Sequence, residues 1–390
     1  MSRNTTVVKQ EKKASILPQN RNIIDYVKSE MRDFDALDFS PVDSLVLSQT
    51  VYMNLGCAAP GMDWAGQGER IADLYRADLF APLLSGIRAS QNNRELLFAL
   101  CASPRFREVR VNWFVDATDE QAEKQFCAAT FALPDGRHYI AFRGTDATVV
   151  GWKEDLNMAF MNEVPSQSAA RAYLAQIAAR TKGALLAGGH SKGGNLAVYA
   201  AAFAGPEVQD RIQWVFSHDG PGFREEVFTS PEFRRIAPKI RKTLPQSSLV
   251  GMLLENDDGY EVVRSDKSGI MQHDPFSWII EGSKFGYTEK IAAGASNRNR
   301  TIREWLSQQS DEKLQLFVDT IFEVIQAAEV KKVGDLPLGA LREADRIYDA
   351  IRDIDEPTAR CISDLVKQLV VIWLRSVFGI DPEKEGSPVG

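Results

Sequence analysis

The sequence predicts an α/β fold, a mostly parallel sheet flanked by helices, with extra helices at both ends of the chain. Three observations predict it. After Gly144, short all-apolar runs alternate with helical segments, the pattern of parallel strands joined by crossover helices and covered on both faces. Before that point, two apolar runs joined by Pro134, Asp135 and Gly136 read as an antiparallel hairpin. Between them and the chain's end, a glycine-flanked serine in GGHSKGGNLAVYAA stands where an apolar run gives way to a helical one.

The elements follow in order. Residues 1–21 mix Lys9, Lys12 and Lys13 with polar residues, contain no apolar stretch of signal-peptide length, and read as a mobile tail. From Asn22 to Arg105 apolar residues recur three or four apart, as in NIIDYVKSEMRDF and SPVDSLVLSQTVYMNLG, and Ser40 or Asp43 caps the second helix. In REVRVNWFVDA, Val109, Val111 and Trp113 alternate with polar residues in the two-residue rhythm of a half-exposed strand. FCAATFAL and YIAFRG form the hairpin; then come helix SAARAYLAQIAAR, strand ALLAGG, helix NLAVYAAAFAG, strand IQWVFSHDG, a helical PEFRRIA and strands KIRKTL and YEVVRS. The expected core includes Val109, Val111, Ile140, Phe142, Leu185, Leu186, Leu196, Val215 and Phe216. Residues 22–295 form the sheet domain with its N-terminal helices. Residues 296–390 read as a helical subdomain or layer, one helix with Leu314, Phe317, Ile321 and Ile325 on a face, another with Ile362, Leu365, Leu369 and Trp373.

Composition excludes several classes of function. Forty-six basic against 53 acidic residues leave a net charge of -7, with no field to attract nucleic acid or an anionic membrane. The longest late apolar run, Leu369 to Leu374, is too short to span a bilayer, so no transmembrane segment is expected. Cys57, Cys101, Cys127 and Cys361 are scattered among apolar neighbours without a CxxC spacing, which points to buried thiols in a reducing, cytoplasmic compartment, and to neither disulfides nor a metal site.

A G-x-S-x-G pentapeptide alone is weak, arising by chance in roughly one chain of this length in ten. Its setting is what matters: the strand ALLAGG leads in and the helix NLAVYAAAF leads out, the strand-turn-helix arrangement of a nucleophile elbow. Glycines on both sides of Ser191 exceed what a helix N-cap requires. An attacking serine needs a base, and the chain has four histidines. His190 lies inside the elbow and should point away from the serine. His138 starts a strand too early for the Ser, acid, His order. His273, in GIMQHDPFSW, comes after the last expected sheet strand and is favoured over His218, which ends WVFSH. For the acid, Asp219 in SHDGPGF ends the strand after the elbow helix, at the carboxyl edge where such folds bind ligands; Asp257, Asp258 and Asp274 remain alternatives. The oxyanion donors are expected at the backbone of Lys192, after the nucleophile, and of Thr145, which Gly144 lets come close.

With FRGTD, GWKEDL, GGHSKGGNLA, a following aspartate and a late histidine, the sequence resembles the class 3 lipase-like branch of the α/β-hydrolases over about Phe126 to Trp278. SHDGPGF and QHDPFSW narrow the resemblance to a bacterial subgroup. It implies an α/β-hydrolase-type fold, with Ser191 as nucleophile, His273 as the late histidine and Thr145 as the oxyanion residue. Two departures stand out. Class 3 lipases usually carry the acid after the next strand, where this chain reads PQSSLVGML with Ser247 and Ser248, which makes Asp219 a migrated substitute. Lys192 stands where a leucine is common, leaving a cation near the site.

The expected function is a cytoplasmic serine hydrolase of the lipase or esterase type, acting on a small-molecule or lipid ester or thioester through an acyl-enzyme, without cofactor or metal. The segment DATVVGWKEDLNMAFMNEVP, with Val150, Trp152, Met158, Phe160 and Met161, occupies the lid position of lipase-like enzymes or forms a plain packed helix. The competing expectation is a non-catalytic binding or regulatory protein on the same fold, its C-terminal helices docking a protein partner.

Overall fold

The computed structural model describes residues 21–319, apart from 60, 64, 88, 147–148, 255–258, 290, 293–300, 303, 307 and 317. The tail 1–20, Asp257, Asp258, Phe317, Ile321, Ile325, Cys361 and the helix expected over Ile362 to Trp373 lie outside the described residues. Arg21, assigned above to the tail, instead accepts a backbone hydrogen bond from Ile280 at 2.7 Å.

A nine-stranded mixed sheet organises the chain, with β1 (Glu69–Arg70), β2 (Arg110–Asp119), β3 (Lys124–Ala132), β4 (His138–Phe142), β5 (Leu185–His190), β6 (Ile212–His218), β7 (Ile240–Pro245) and β8 (Tyr260–Val263) side by side in sequence order. β9 (Ile280–Glu281) and β10 (Lys284–Phe285) form a separate hairpin, and β11 (Tyr287–Thr288) closes the main sheet against β8. The five strands β4 to β8 are parallel; β1 to β4 and β8 to β11 pair antiparallel. The expected fold class is the one observed. Two strands were not foreseen: β1 lies inside the stretch read as helical, and β11 follows His273, so the histidine does not come after the last strand of the sheet. Both are two-residue edge strands, too short to show a period.

Strand order dictates how the faces are covered. Right-handed crossovers between neighbours that always advance in one direction leave every crossover helix on the same face. That face carries α6 (Pro165–Arg180), α7 (Lys192–Ala202) and α10 (Pro231–Ile236), packed on Ile140, Phe142, Leu185, Ala187 and Val215. The opposite face, with Tyr139, Ala141, Leu186 and Phe216, would be bare without α1 (Ile23–Ser29), α2 (Pro41–Thr50), α4 (Ser90–Ala102) and the stretch from Phe276 to Phe285. Consecutive strand residues thus enter different cores, as the pleat requires. All nine core residues named above are buried.

The N-terminal helices start where local chemistry says they should. Asn22 and Asp25 form a capping box on α1, and Ser40 with Asp43 forms one on α2, with Pro41 at the first helical position. Ser40 is therefore the cap and Asp43 its reciprocal partner.

Trp113 departs from the expected alternation. Its φ is +51°, and the β2–β3 register slips by one residue between Asn112 and Val115, a β-bulge. Val109 and Val111 face the N-terminal helices, whereas Trp113 joins the core under α6. Beyond the bulge the parity of β2 is reversed, which brings Asp116 rather than Ala117 to the face of the N-terminal helices.

Cys127 is buried as expected, but Cys57 is exposed at the end of a single helical turn, because the residues around it run over the surface. The described part of the C-terminal region lies against the sheet domain: Ile302 packs on Leu249, and Asp311 and Asp319 pair with Arg224 and Lys153. Leu314 is buried there. Among the described residues no helix is long and apolar enough to cross a membrane.

Candidate active site

β5 runs into Ser191, and α7 starts at the next residue. Ser191 has φ 59° and ψ −134°, a conformation costly for a non-glycine residue, and it is held there by its neighbours. A Cβ on Gly193 would lie 2.1 Å from the Phe142 carbonyl oxygen, and one on Gly189 would lie 2.2 Å from Gly193, so this turn closes only with glycines. The serine hydroxyl makes no capping hydrogen bond to α7. It lies 3.0 Å from His273 Nε2 instead.

His273 ends the one-turn segment Gly269–His273, with its ring almost wholly buried. Its Nδ1 is 2.6 Å from Asp219 Oδ2. A carboxylate only accepts, so Nδ1 carries the proton and Nε2 presents its lone pair to the Ser191 hydroxyl, which donates. Asp219 is fully buried at φ +51°, at the end of β6. Its other oxygen accepts from Ser248 Oγ at 2.5 Å and from the Gly251 amide at 3.2 Å. The structure therefore brings Ser191, His273 and Asp219 into one hydrogen-bonded chain. The PQSSLVGML segment, lacking a carboxylate, supplies two donors that fix Asp219.

The alternative candidates are engaged elsewhere. His218 is buried between Thr243 Oγ1 at 2.7 Å and Ser44 Oγ at 2.9 Å, and burial pushes its imidazole down to about 3. His138 is half-buried at the start of β4. Asp274 binds Lys267 at 2.6 Å and accepts from the Phe276 amide. His190 points away from the serine: its Nε2 donates to the His273 carbonyl at 2.8 Å, and the two rings lie 4.6 Å apart, centre to centre.

Gly144 lies against the elbow, since a Cβ there would be 2.6 Å from the His190 carbonyl oxygen and 3.0 Å from Ser191 Cβ. Its amide donates to the Tyr52 hydroxyl at 3.1 Å. Thr145 follows, and its hydroxyl donates to Asp155. Lys192 occupies the first position of α7, where amides point out of the helix N-terminus. Its side chain corrects an expectation. The ammonium does not leave a cation at the site; it is fully buried, 3.0 Å from Glu154 and 2.8 and 2.9 Å from the side-chain and backbone oxygens of Gln125. A buried ammonium is tolerable only with such partners. Glu154 and Asp155 belong to α5 (Val149–Asn157), which spans the suggested lid. Burial raises the Asp155 carboxyl to about 6, against the pull of the Lys192 charge. Sequence reasoning missed Asp155, Tyr52, His190 and Ser248 as partners of the site. Only GWKEDL, quoted above without roles for its acids, signalled any of them.

No curated protein matches the sequence significantly. Among solved structures, a Rhizomucor miehei lipase in complex with its propeptide is 15% identical over 41% of this chain and 58% of its own, with a TM-score of 0.29. The chain thus spans little more than half of that lipase. A triacylglycerol lipase whose catalytic centre is formed by a serine protease triad is 12% identical over 57% of this chain and 78% of its own, with a TM-score of 0.35. M37 lipase is 16% identical over 53% and 68%, with a TM-score of 0.34. The Mbeg1-like family model matches residues 100–323, a span that holds Thr145, Ser191, Asp219 and His273. By that match over more than half of its length, the chain belongs to the Mbeg1-like family, a lipase-like family.

Proposed function

We propose that this protein is a serine hydrolase that cleaves a carboxylic ester or thioester through an acyl-enzyme. One observation carries the reading: the Ser191 hydroxyl, which does no capping, lies 3.0 Å from an imidazole whose other nitrogen is 2.6 Å from a buried carboxylate. Ser191 Oγ attacks the carbonyl carbon as His273 Nε2 takes the hydroxyl proton. The backbone amides of Thr145 and Lys192 then hold the negative oxygen. The carbon–oxygen or carbon–sulfur bond breaks, the leaving group takes the proton from His273, and water repeats the sequence to release the acid. Asp219 keeps the imidazole in the right tautomer and stabilises its positive form. No step calls on a metal or an organic cofactor. On its motifs SHDGPGF and QHDPFSW the chain falls in a bacterial subgroup, and its free cysteines suit a cytoplasmic enzyme.

Fluorophosphonate labelling tests the reading. The wild-type protein should be labelled at Ser191 and should hydrolyse p-nitrophenyl esters, while Ser191→Ala, folded by circular dichroism, should do neither. Unlabelled wild-type protein would leave the non-catalytic binding role in its place.

A further inference from the structure

A cleft of about 240 Å³ opens beside Thr145, and Tyr52, Asp116, Thr118, Arg143 and Asp146 line it with polar groups. It adjoins the reacting serine. Tyr52 and Thr145 flank Gly144, whose backbone lies against Ser191. The walls come from separate parts of the chain, and each has a structural cause. Arg143 to Asp146 form the loop after β4. Tyr52 comes from the N-terminal layer, as does Ile87, which precedes α4. Asp116 and Thr118 reach this side of the sheet because the bulge at Trp113 reverses the parity of β2.

The charges in the cleft do not cancel. The Arg143 guanidinium is buried and bidentate on Asp116 at 2.9 Å for both bonds, with Asp146 at 3.4 Å. Its side chain is only 6% exposed, against 36% for Asp116 and 25% for Asp146. Two carboxylates against one guanidinium leave one negative charge in excess, and the carboxylates present it to the cleft.

We propose that this cleft selects esters or thioesters that carry a positive charge on the arm reaching past Thr145, in preference to a purely aliphatic arm. The proposal rests on the hydrolase reading above and names its substrate class. An apolar arm would have to strip water from two carboxylates without replacing their hydrogen bonds. A cationic arm meets the excess charge instead.

Two pairs of isosteric thioesters test it: butyrylthiocholine against 3,3-dimethylbutyl thiobutyrate, with the charge on the thiol side, and 4-(trimethylammonio)butyryl against 5,5-dimethylhexanoyl thioesters, with the charge on the acyl side. Within each pair only the charge differs. In one pair the wild-type enzyme should favour the cation by roughly tenfold in kcat/KM at low salt, as expected for one unscreened unit charge in a surface cleft, and less in 0.5 M salt, because salt shortens the reach of the field. Asp146→Asn should bring that ratio close to one, Asp116→Asn should also lower it, and Asp210→Asn, a surface acid paired with Arg235, should not change it. Equal rates within both pairs, or a preference for the neutral member, overturn the proposal. Labelling by fluorophosphonate without turnover of either cationic thioester overturns it too, while leaving the hydrolase reading standing. Absence of labelling would bring down the hydrolase reading itself.

Discussion

Asp219 is the residue on which the chemistry of the site turns. Three donors converge on its carboxylate: His273 on one oxygen, Ser248 and the Gly251 amide on the other. Asp219→Asn should lower kcat by about 10⁴, because the imidazole loses its preferred tautomer and the charge that stabilises imidazolium. Ser248→Ala removes only one donor and leaves the acid in place, so kcat should fall by about 10- to 100-fold with little change in KM. Steady-state kinetics of both variants checks the ordering, and equal losses would mean that Asp219 acts only by shaping its turn. His218 makes a prediction about pH. Burial depresses its folded-state value to about 3 from 6.5, so the unfolded chain binds more protons between those limits. Its contribution to stability is therefore present above pH 6.5 and lost as pH falls toward 3. Urea midpoints measured from pH 7 to pH 4 should drop less steeply in His218→Gln than in the wild-type protein.

At the scale of elements, the β5–Ser191–α7 turn works by close approach. Gly193 brings the first turn of the helix against the Phe142 carbonyl of the neighbouring strand, which also carries the oxyanion loop at its end. Gly193→Ala sets a Cβ 2.1 Å from that oxygen, so strand and helix must separate. It should destabilise the protein by about 2–4 kcal/mol and abolish turnover, as overpacking and a displaced reacting geometry together require. Unchanged urea denaturation and activity in Gly193→Ala would mean that the turn is looser than the contact implies. α5 shows how one element joins structure to function, for Glu154 anchors the Lys192 ammonium and the next residue, Asp155, accepts from the Thr145 hydroxyl. That coupling makes α5 part of the site's wall whether or not the segment also moves.

Across the whole molecule, one buried residue ties the N-terminal layer together. Arg105 is fully buried, bidentate on Asp43 at 2.7 and 2.8 Å, and donates to the carbonyls of Arg32, Asp33, Leu37 and Asp38. Tyr26 binds the same carboxylate at 2.8 Å. This network shapes the loop that leads into α2, and α2 in turn leads to Tyr52 beside the oxyanion loop. Arg105→Met would strand a buried carboxylate and four carbonyls, at a cost of about 3–5 kcal/mol. Asp43→Asn with Arg105→Met should recover part of that loss, because the uncompensated charge is gone. Urea denaturation of the two variants checks this, and a double variant no more stable than the single one would show that the lost carbonyl bonds dominate.

The sequence by itself determined what short-range chemistry encodes: the alternation of apolar strands and helices, the Pro-Asp-Gly hairpin, the two capping boxes, and an elbow whose glycines leave Ser191 few alternatives. It also narrowed the histidines and acids to a few, because chain order limits which strand ends can meet. Tertiary structure decided the rest. Whether Asp219 or another acid reaches His273 depends on how residues 54 positions apart fold back on each other, and periodicity carries no such information. The inward turn of Lys192 depends on Glu154, which lies on another helix. The bulge at Trp113 changes the face of every residue after it, although REVRVNWFVDA reads as an unbroken strand. Covering the second sheet face with the N-terminal helices follows from strand order, a property of the assembled sheet that no local stretch of the chain contains.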